Sequence, residues 1–338
     1  MRGVGGRLRV APEDFVVEEI PAYEPAGVGA HVLATLEKRG LTTAEAVRRL
    51  ASALGVRADD IGVAGQKDKR AVARQRVSLP PPVTPEAALA LGWDDLRILA
   101  AARHPHKLRT GHLRGNRFVV AIRDLAAPPA EALARAGAIL ARLAAPPGAP
   151  NFYGEQRFAP GNVEAGRALV RGERLRLPPR ERRFAVSALQ ADLFNRLLEQ
   201  RLQDGLYRAV ITGDILERVE TGGQFETSDP AVDAPRVAAG EIVPTGAMFG
   251  HDARMPSPGT EAAAREAAVL SAAGLALDDF RRAGGLARGT RRAFAVRVSG
   301  AQATLDGDAL VLTFALPAGA YATVVAAEVM KDATLDDR

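Results

Sequence analysis

The sequence Ala64-Gly65-Gln66-Lys67-Asp68-Lys69-Arg70-Ala71-Val72-Ala73-Arg74-Gln75 places one carboxylate among four cationic side chains. It follows an apolar, glycine-interrupted segment at 61–65 and leads into residues that alternate in character as far as Leu79. Successive side chains of a strand point to opposite faces, so this alternation predicts a strand over 72–79 with one mostly polar face. Asp68 is therefore expected just before the start of a strand.

Asp68 is the first candidate for a chemical role. Nearby positive charge stabilises the ionised form of a carboxylate, which a nucleophile or a general base requires. If the segment is extended, however, Lys67 and Lys69 point away from Asp68, and its partner cation must come from elsewhere in the fold. On these residues alone a solvated charged turn is the simpler interpretation, and it stays open at this point.

The flanking segments predict a sheet with few helices. Thr42 and Glu45 form a capping box, and Gly55 suits the end of the helix that this box begins. Strands are predicted at 7–10, 15–18, 31–37, 96–101 and 118–123, and a helix at 129–143. Because strands dominate without strand–helix–strand alternation, these patterns favour an α+β fold with an antiparallel core.

The second half of the chain has a different pattern. Ser187 and Gln190 form another capping box, whereas residues 212–258 are rich in Gly, Pro, Asp and Thr, which is typical of loops with short strands. Further helices are predicted at 261–270, 277–283 and 319–330, and strands at 294–298 and 309–314. This layout predicts a first domain at 1–174, an insertion at 175–297 and a return to the first domain at 298–338.

Charge and composition restrict the class of protein. The formal net charge is +5 with a pI near 9.8, and nearly all the positive charge is arginine, whose planar fork suits phosphate. An arginine- and alanine-biased genome explains the same balance, so charge alone decides nothing. Cysteine is absent, which excludes disulfides and thiolate metal sites. Without a secretory signal or a long apolar run, we expect a cytoplasmic protein with no membrane span.

A basic segment at 103–118 contains three histidines, which raises the question of a metal site. No cysteine or acidic residue lies among them, and the neighbouring cations repel a metal, so we predict none here. A Gly-Asn turn between basic side chains suits phosphate contacts better, although a solvated basic loop remains an alternative. The residues expected to contact an RNA backbone are Lys67, Arg74, Arg103, His104, Lys107, Arg109 and Arg114.

Three further segments could bind a base. Residues 150–158 combine two adjacent aromatic rings with an Asn amide and an Arg, which could stack on and hydrogen-bond a splayed-out base. A hydrophobic corner at a domain junction is the alternative. Residues 9–18 include Phe15, which could stack on a base, but a strand-turn-strand with surface charge is the alternative. Residues 316–323 could hold an anion or a base at a helix N-terminus, but an ordinary helix start is the alternative.

Taken together, these segments resemble the TruD family of pseudouridine synthases. The similar motifs are Pro-Glu-Asp-Phe-Val-Val-Glu-Glu from Pro12, Ala-Gly-Gln-Lys-Asp-Lys-Arg-Ala from Ala64, Asn-Phe-Tyr-Gly-Glu-Gln-Arg-Phe from Asn151, Ser-Ala-Leu-Gln-Ala-Asp-Leu-Phe-Asn from Ser187 and Leu-Pro-Ala-Gly-Ala-Tyr-Ala-Thr from Leu316. Each is moderately specific, and five in the family's order are much more so. The resemblance spans residues 9 to about 330.

The resemblance implies a fold and an activity. The fold is a pseudouridine-synthase catalytic domain with a mixed, mainly antiparallel sheet, interrupted by an α/β insertion domain. The activity is isomerisation of uridine 13 of tRNA to pseudouridine, in which a flipped base is detached, rotated and rejoined through C5. No metal, organic cofactor or obligate protein partner is implied; the partner is tRNA.

The resemblance also implies residue roles. Asp68 corresponds to the catalytic aspartate, and Arg9 to a basic residue that we expect to supply its missing cation. Phe15, Asn151 and Tyr321 correspond to positions that line the target base, and Tyr153 to the aromatic residue against the uracil ring. The chain departs from the family pattern at three places: Ala73 stands where Thr is common, Tyr321 where Phe is common, and Arg9 where Lys is frequent.

Two other functions remain open from the residues. A non-catalytic RNA-binding module would keep the basic and aromatic segments but would not depend on Asp68. A metal-dependent hydrolase acting on RNA would need several clustered acidic residues, and the Asp68 segment offers one. Sensitivity to EDTA separates the second alternative from a metal-free isomerase.

Overall fold

The alternation after Asp68 forms a strand with the predicted bounds, Val72–Leu79. The computed structural model describes residues 1–331. In chain order its strands are β1 (Arg7–Leu8), β2 (Phe15–Pro21), β3 (His31–Arg39), β4 (Gly62–Val63), β5 (Val72–Leu79), β6 (Gly92–Trp93), β7 (Leu96–His104), β8 (Leu113–Arg123), β9 (Ala149–Pro150), β10 (Ile215–Arg218), β11 (Gln224–Glu226), β12 (Ile242–Met248), β13 (Thr290–Ala293), β14 (Ala295–Val296), β15 (Ser299–Asp306) and β16 (Ala309–Pro317).

The α-helices alternate with these strands unevenly along the chain. They are α1 (Thr43–Leu54), α2 (Pro85–Leu89), α3 (Pro129–Ala144), α4 (Asn162–Val170), α5 (Pro179–Gln203), α6 (Pro230–Ala239), α7 (Glu261–Ala272), α8 (Asp279–Arg282) and α9 (Ala322–Met330). None of the helices in residues 1–331 is long and apolar enough to cross a membrane.

The contacts divide the chain into two compact units. Within the described residues, unit 1 comprises 1–142, 298–322 and 326–331, and unit 2 comprises 143–297 and 323–325. The assignment of 1–174, 175–297 and 298–338 to a catalytic domain, an insertion and a return stays a prediction, because compactness does not by itself define a domain of the family.

Unit 1 is built on one ten-stranded sheet. Its order is β15-β16-β8-β2-β5-β3-β7-β6, with β1 added beside β8 and β4 beside β5. Strands β2 and β5 are parallel, with Val16 opposite Val72, and every other pair in this sheet is antiparallel. The sheet is therefore mixed and mainly antiparallel, as predicted, and the fold class is α+β.

The parallel pair determines which loops meet. Parallel strands start at the same edge of a sheet, so the segments that precede β2 and β5 emerge side by side. One of these segments carries Arg9 and the other carries Asp68. The antiparallel pairing of β3 with β5 then places the end of β3, at Lys38, next to the start of β5.

Apolar side chains cover one face of this sheet. Leu36, Leu79 and Leu96 are fully or almost fully buried together with Leu50 of α1, in one hydrophobic cluster. The α1 helix begins with the predicted Thr42–Glu45 capping box and ends at Gly55, which has φ +65°. Elsewhere in the sheet, Phe118 packs between Phe15 and Phe314.

Unit 2 combines a four-stranded antiparallel sheet with helices. The strand order is β11-β10-β12-β13, and β9 pairs separately with β14. The 25-residue helix α5 supplies Leu189, Leu193 and Phe194 to a core that also contains Phe249 and Phe280. The middle of the chain thus has its own hydrophobic core.

Some of the predicted elements are wrong. Helix α5 begins at Pro179, eight residues before the Ser187–Gln190 capping box, because Pro at the first helical position starts a helix without needing its N–H. Of the strand predicted at 294–298 only Ala295–Val296 is formed, as β14, and the next strand, β15, begins at Ser299. The region 212–258 also contains a helix, α6, which its internal Pro235 concealed.

Candidate active site

Arg9 and Asp68 form an ion pair in unit 1. Arg9 Nη2 donates a hydrogen bond to Asp68 Oδ2 at 2.8 Å, and the side chains are 24% and 37% exposed. The carboxylate is thus held by a cation while a substrate can still reach it. The cation that pairs with Asp68 comes from a distant part of the sequence, as predicted for a carboxylate whose neighbours Lys67 and Lys69 point away from it.

The backbone of Arg9 has an unusual conformation. Its φ is +57°, in the left-handed region that non-glycine residues seldom adopt. This conformation costs roughly 1–2 kcal/mol per residue, and such strain persists where surrounding contacts impose it, often at functional sites. The strain therefore marks Arg9 as a residue whose side-chain position has been favoured over local stability.

Phe15 supports the guanidinium of Arg9. The Arg9 guanidinium carbon lies 4.3 Å from the centre of the Phe15 ring, and Phe15 is only 3% exposed. Arg9 Nε is buried and has no hydrogen-bond partner within residues 1–331. The ring and the Asp68 carboxylate together fix the guanidinium. The contact of Phe15 with a target base stays a prediction.

Lys38 anchors the loop that carries Asp68. Its side chain is fully buried, and its Nζ donates hydrogen bonds to the main-chain oxygens of Asp68, at 2.7 Å, and Leu41, at 2.5 Å. Burial lowers the pKa of Lys38 from 10.5 to about 8, against the opposing attraction of Asp68. We missed Lys38 from the sequence, although the period-two pattern places it on the same buried face as Val32 and Leu36.

A second set of buried polar contacts holds Lys67. Its Nζ lies 3.0 Å from Glu19 Oε2, with 5% and 1% of the two side chains exposed. The Lys67 main-chain N–H donates to Thr43 Oγ1 at 2.8 Å, and the Thr43 hydroxyl donates to Gln75 at 2.9 Å. Lys67, directly before Asp68, is therefore fixed within unit 1. The ammonium group of Lys67 is enclosed by this ion pair, and the contact of Lys67 with an RNA phosphate stays a prediction.

Because the ammonium group of Lys38 is buried, we expect the free energy of unfolding to depend on pH. The folded protein releases this proton near pH 8 and the unfolded chain near 10.5, so the unfolded state binds more protons between these values. The destabilising contribution of Lys38 is therefore fully present below pH 8 and decreases as the pH rises towards 10.5. The free energy of unfolding of the wild type should rise relative to that of Lys38→Met over this window.

Urea unfolding of both proteins at pH 7 to 10 measures this difference. Lys69→Met is the matched control, because Lys69 lies in the same loop with 58% of its side chain exposed. A difference between wild type and Lys38→Met that stays constant or falls with rising pH would contradict the assignment of Lys38 as a buried cation.

Asn151 and Tyr153 lie in unit 2, where Arg292 contacts both. Asn151 is 5% exposed; its Nδ2 donates to the main-chain oxygen of Ala293 at 2.8 Å, and its Oδ1 accepts a hydrogen bond from Arg292. The Arg292 guanidinium carbon lies 4.1 Å from the centre of the Tyr153 ring, and Phe194 packs edge-on against the same ring. The aromatic and amide groups predicted to bind a base are thus held in one cluster.

Asn195 holds the main chain of Tyr153. Its Oδ1 accepts from the Tyr153 N–H at 2.9 Å, and its Nδ2 donates to the Tyr153 carbonyl at 3.0 Å. Sequence reasoning missed both Asn195 and Arg292 as site residues. Asn195 had a signal, since it ends the motif that begins at Ser187. Arg292 had none, since its position depends on the pairing of β12 with β13.

Replacing Asn195 by alanine should displace Tyr153 and lower activity. Both hydrogen bonds to the Tyr153 main chain are lost, and a displacement of about 1 Å at a reacting group can cost on the order of 10²-fold in rate. We therefore expect a single-turnover rate about 10- to 100-fold lower, with tRNA affinity little changed. Gln203→Ala, at an exposed position of the same helix, is the control. Equal rates for both variants would contradict a positioning role.

Tyr321 is half-buried, and three of the basic residues predicted to contact RNA form hydrogen bonds within the protein. Tyr321 precedes the first turn of α9. Arg74 Nε donates to Glu37 at 2.7 Å, Lys107 Nζ donates to the Asp59 carbonyl at 2.6 Å, and Arg103 Nη1 donates to the Val83 carbonyl at 3.3 Å.

His104, which is predicted to contact RNA, is the least accessible of the three histidines in the basic segment at 103–118. It stacks on Tyr23 with 5.1 Å between ring centres, and burial lowers its pKa, with His106 and His31 adding to the effect. Arg109 and Arg114 are exposed. In the part of the chain that the structure describes, no three histidine or acidic side chains are grouped so as to hold a metal ion.

Comparison with known proteins gives the family. The profile of tRNA pseudouridine synthase D (TruD) matches residues 1–176 and 173–329. The chain is 50% identical over 339 residues to the tRNA pseudouridine synthase D of Anaeromyxobacter dehalogenans strain 2CP-1, covering 97% of this chain and 94% of that protein. It is 43% identical over 336 residues to the tRNA pseudouridine synthase D of Thermus thermophilus, covering 99% of this chain and 91% of that protein.

A solved structure agrees with this match. The crystal structure of a candidate tRNA pseudouridine synthase D from Methanosarcina mazei is 25% identical, with a TM-score of 0.76, and covers 97% of this chain and 94% of that one. The chain belongs to the tRNA pseudouridine synthase D family.

Proposed function

We propose that this protein isomerises uridine 13 of tRNA to pseudouridine, with Asp68 as the catalytic carboxylate. Membership of the family supports uridine isomerisation in tRNA, and the motif resemblance supplies position 13. The observation that carries the proposal is the Arg9–Asp68 ion pair, in which a strained arginine backbone holds a cation on a partly exposed carboxylate.

The reaction is an isomerisation, so atoms and electrons balance without a co-reactant. The bond between C1′ of the ribose and N1 of uracil breaks, and a bond between C1′ and C5 forms. The hydrogen on C5 leaves as a proton to water, while N1 gains a proton. The target uridine is first flipped out of its stack, because its reacting atoms are inaccessible inside a helix.

The residues of the site divide this work. Asp68 attacks the ribose or assists the departure of uracil, and Arg9 stabilises its negative charge. Asn151, Tyr153, Phe15 and Tyr321 hold the detached base while it rotates.

The RNA backbone is bound by basic side chains. These are Arg74, Arg103, His104, Lys107, Arg109 and Arg114. Arg109 and Arg114 are the most available of them, because each is exposed and has no carboxylate partner in the described residues. Phosphate contacts of this kind position an RNA without reading its sequence.

Release of hydrogen from C5 tests the proposal. tRNA transcripts tritiated at uracil C5, with uridine or cytidine at position 13, are incubated with the wild-type protein in excess EDTA. We expect about one tritium released into water per tRNA from the uridine transcript, and a signal at the background level when position 13 is cytidine. Equal release from both transcripts would overturn the assignment of position 13.

The same assay separates the other functions. Binding of tRNA without tritium release under any condition favours an RNA-binding module. Cleavage of the RNA chain that occurs without EDTA and stops when EDTA is added favours a metal-dependent hydrolase. Either outcome would overturn the proposed activity on these substrates.

A further inference from the structure

Unit 2 carries an exposed arginine-rich segment that the proposed chemistry does not use. It joins α4 to α5 and continues into the first turns of α5. We call it the arginine segment, and its cationic side chains are Arg171, Arg174, Arg176, Arg180, Arg182 and Arg183. All six are exposed, and the only acidic residues between them are Glu173 and Glu181.

Most of these cations have no anionic partner. Within residues 1–331, none of Arg174, Arg176, Arg180, Arg182 and Arg183 lies within 4.0 Å of a carboxylate. Arg171 donates to a main-chain oxygen, that of Gly274, at 3.0 Å.

Three half-buried arginines of unit 2 are paired with carboxylates. The partners are Asp192 for Arg196 at 2.9 Å, Asp233 for Arg236 at 2.8 Å, and Asp204 for Arg265 at 2.6 Å. The arginine segment is therefore distinguished by how closely its unpaired arginines follow one another along the chain. The exposed Arg208, Arg218, Arg254, Arg288 and Arg297 also lack a carboxylate partner within residues 1–331, but they are scattered along unit 2.

The charge of the segment is large for the size of the protein. Six arginines and two glutamates give 171–183 a formal charge of +4, whereas the whole chain has +5. The rest of 143–297 has 15 arginines and 17 acidic residues, a net charge of −2. Like charges that are not neutralised repel one another and destabilise the folded state, so a bound polyanion would offset this cost.

The chemistry of the segment favours RNA over a lipid surface. Arginine presents a planar fork that binds phosphate oxygens in pairs. The two leucines of the segment, Leu175 and Leu177, are half-buried, and Leu175 packs against the core of unit 2. Peripheral membrane binding usually needs exposed apolar side chains as well as charge, and no exposed leucine or aromatic ring is present between 171 and 183.

We infer that the arginine segment binds the phosphate backbone of tRNA, as a contact surface of unit 2 separate from the basic residues of unit 1. This inference rests on the proposed function for the identity of the RNA. The segment strengthens the binding of tRNA and takes no part in the chemical step, because contacts with phosphates position the RNA without reaching the target base.

Two triple variants test the inference. Arg174→Gln, Arg176→Gln and Arg180→Gln together form the segment variant. Arg196→Gln, Arg236→Gln and Arg265→Gln together form the control, which removes the same charge from the same unit at paired positions. Thermal melting of both variants shows that they are folded. Their dissociation constants for unmodified tRNA are then measured from about 50 to 300 mM KCl.

Counterion release sets the expected result. Each phosphate contact contributes about 0.7–0.9 to the slope of log K against log salt concentration, so the segment variant should lose about 2–3 from this slope. Its affinity at about 0.1 M salt should fall by tenfold or more, and the control should keep the wild-type slope. Tritium release at saturating protein should stay within about twofold of wild type for both variants.

Other outcomes would overturn the inference. Equal slopes for the two triple variants would mean that the segment does not bind phosphates of tRNA. If the segment variant lost the binding of the wild type to vesicles containing phosphatidylserine but bound tRNA as the wild type does, the segment would be a membrane-binding surface instead. If the wild type binds tRNA but releases no tritium, the proposed activity fails, while the comparison of slopes still decides on the binding surface.

Discussion

Replacement of Asp68 by asparagine is expected to lower the single-turnover rate of tritium release by about 10⁴-fold or more, the scale on which removal of an essential catalytic group acts in other enzymes. Asparagine keeps the shape of the side chain and can still accept a hydrogen bond from Arg9. It cannot supply the negative charge that attack on the ribose or stabilisation of its cationic form requires. The loss should therefore affect the chemical step, with tRNA affinity within about threefold of wild type.

Asp95→Asn is the matched control for this variant. Asp95 also lies in unit 1, is paired with an arginine, Arg49, and has 39% of its side chain exposed, close to the 37% of Asp68. Its replacement should leave the rate within about twofold of wild type, since an exposed ion pair contributes only about 0–1 kcal/mol to stability. Comparable rates for the two variants would show that Asp68 is not the catalytic carboxylate.

The second large effect is expected at Arg9, where stability and activity should separate. Arg9→Gly relieves the strained φ of +57°, which is worth about 1 kcal/mol, but it removes the cation that faces Asp68. We expect a single-turnover rate about 10²- to 10³-fold lower, the scale on which one preorganised electrostatic contact acts. The melting temperature should stay within a few degrees of wild type.

Arg9→Met separates the two contributions further. It keeps an unbranched side chain over the Phe15 ring but retains the strain and lacks the charge. It should therefore be as inactive as Arg9→Gly and less stable, whereas Arg9→Lys, which restores a cation, should recover part of the rate. Rates for Arg9→Met near that of wild type would mean that the ion pair has only a structural role.

The contact between Arg9 and Asp68 could be predicted only in part from local sequence patterns. Alternation predicted the Val72–Leu79 strand, and an extended segment predicted that the partner of Asp68 would come from a distant part of the chain. The partner itself depends on the parallel pairing of β2 with β5. No local pattern encodes that pairing, so only the motif resemblance pointed to Arg9.

Buried polar residues were the weakest part of the sequence prediction. Lys38 reads as a surface lysine at the end of a strand, because lysines are almost never fully buried without a partner. Its burial follows from the Asp68 and Leu41 carbonyls that receive its hydrogen bonds, and these lie on loops whose course the sequence does not reveal. The same limit applies to Arg292, which is placed by the pairing of β12 with β13.

Helix starts show a different limit. The Thr42–Glu45 capping box marks a real helix start, whereas the similar pattern at Ser187 lies inside α5. A capping box is a short pattern that a helix interior can contain by chance. At Ser187 the hydroxyl instead accepts a hydrogen bond from Arg157, within the cluster around Tyr153.

The most direct test of the account is the chemical identity of the product. tRNA is incubated with wild-type protein or Asp68→Asn in EDTA, digested to nucleosides and separated by liquid chromatography with mass detection. We predict that the wild type alone converts one uridine per tRNA to a nucleoside of unchanged mass that elutes with authentic pseudouridine. Free uracil with an abasic site, or the same pseudouridine yield from Asp68→Asn, would contradict the claim that Asp68 drives an isomerisation.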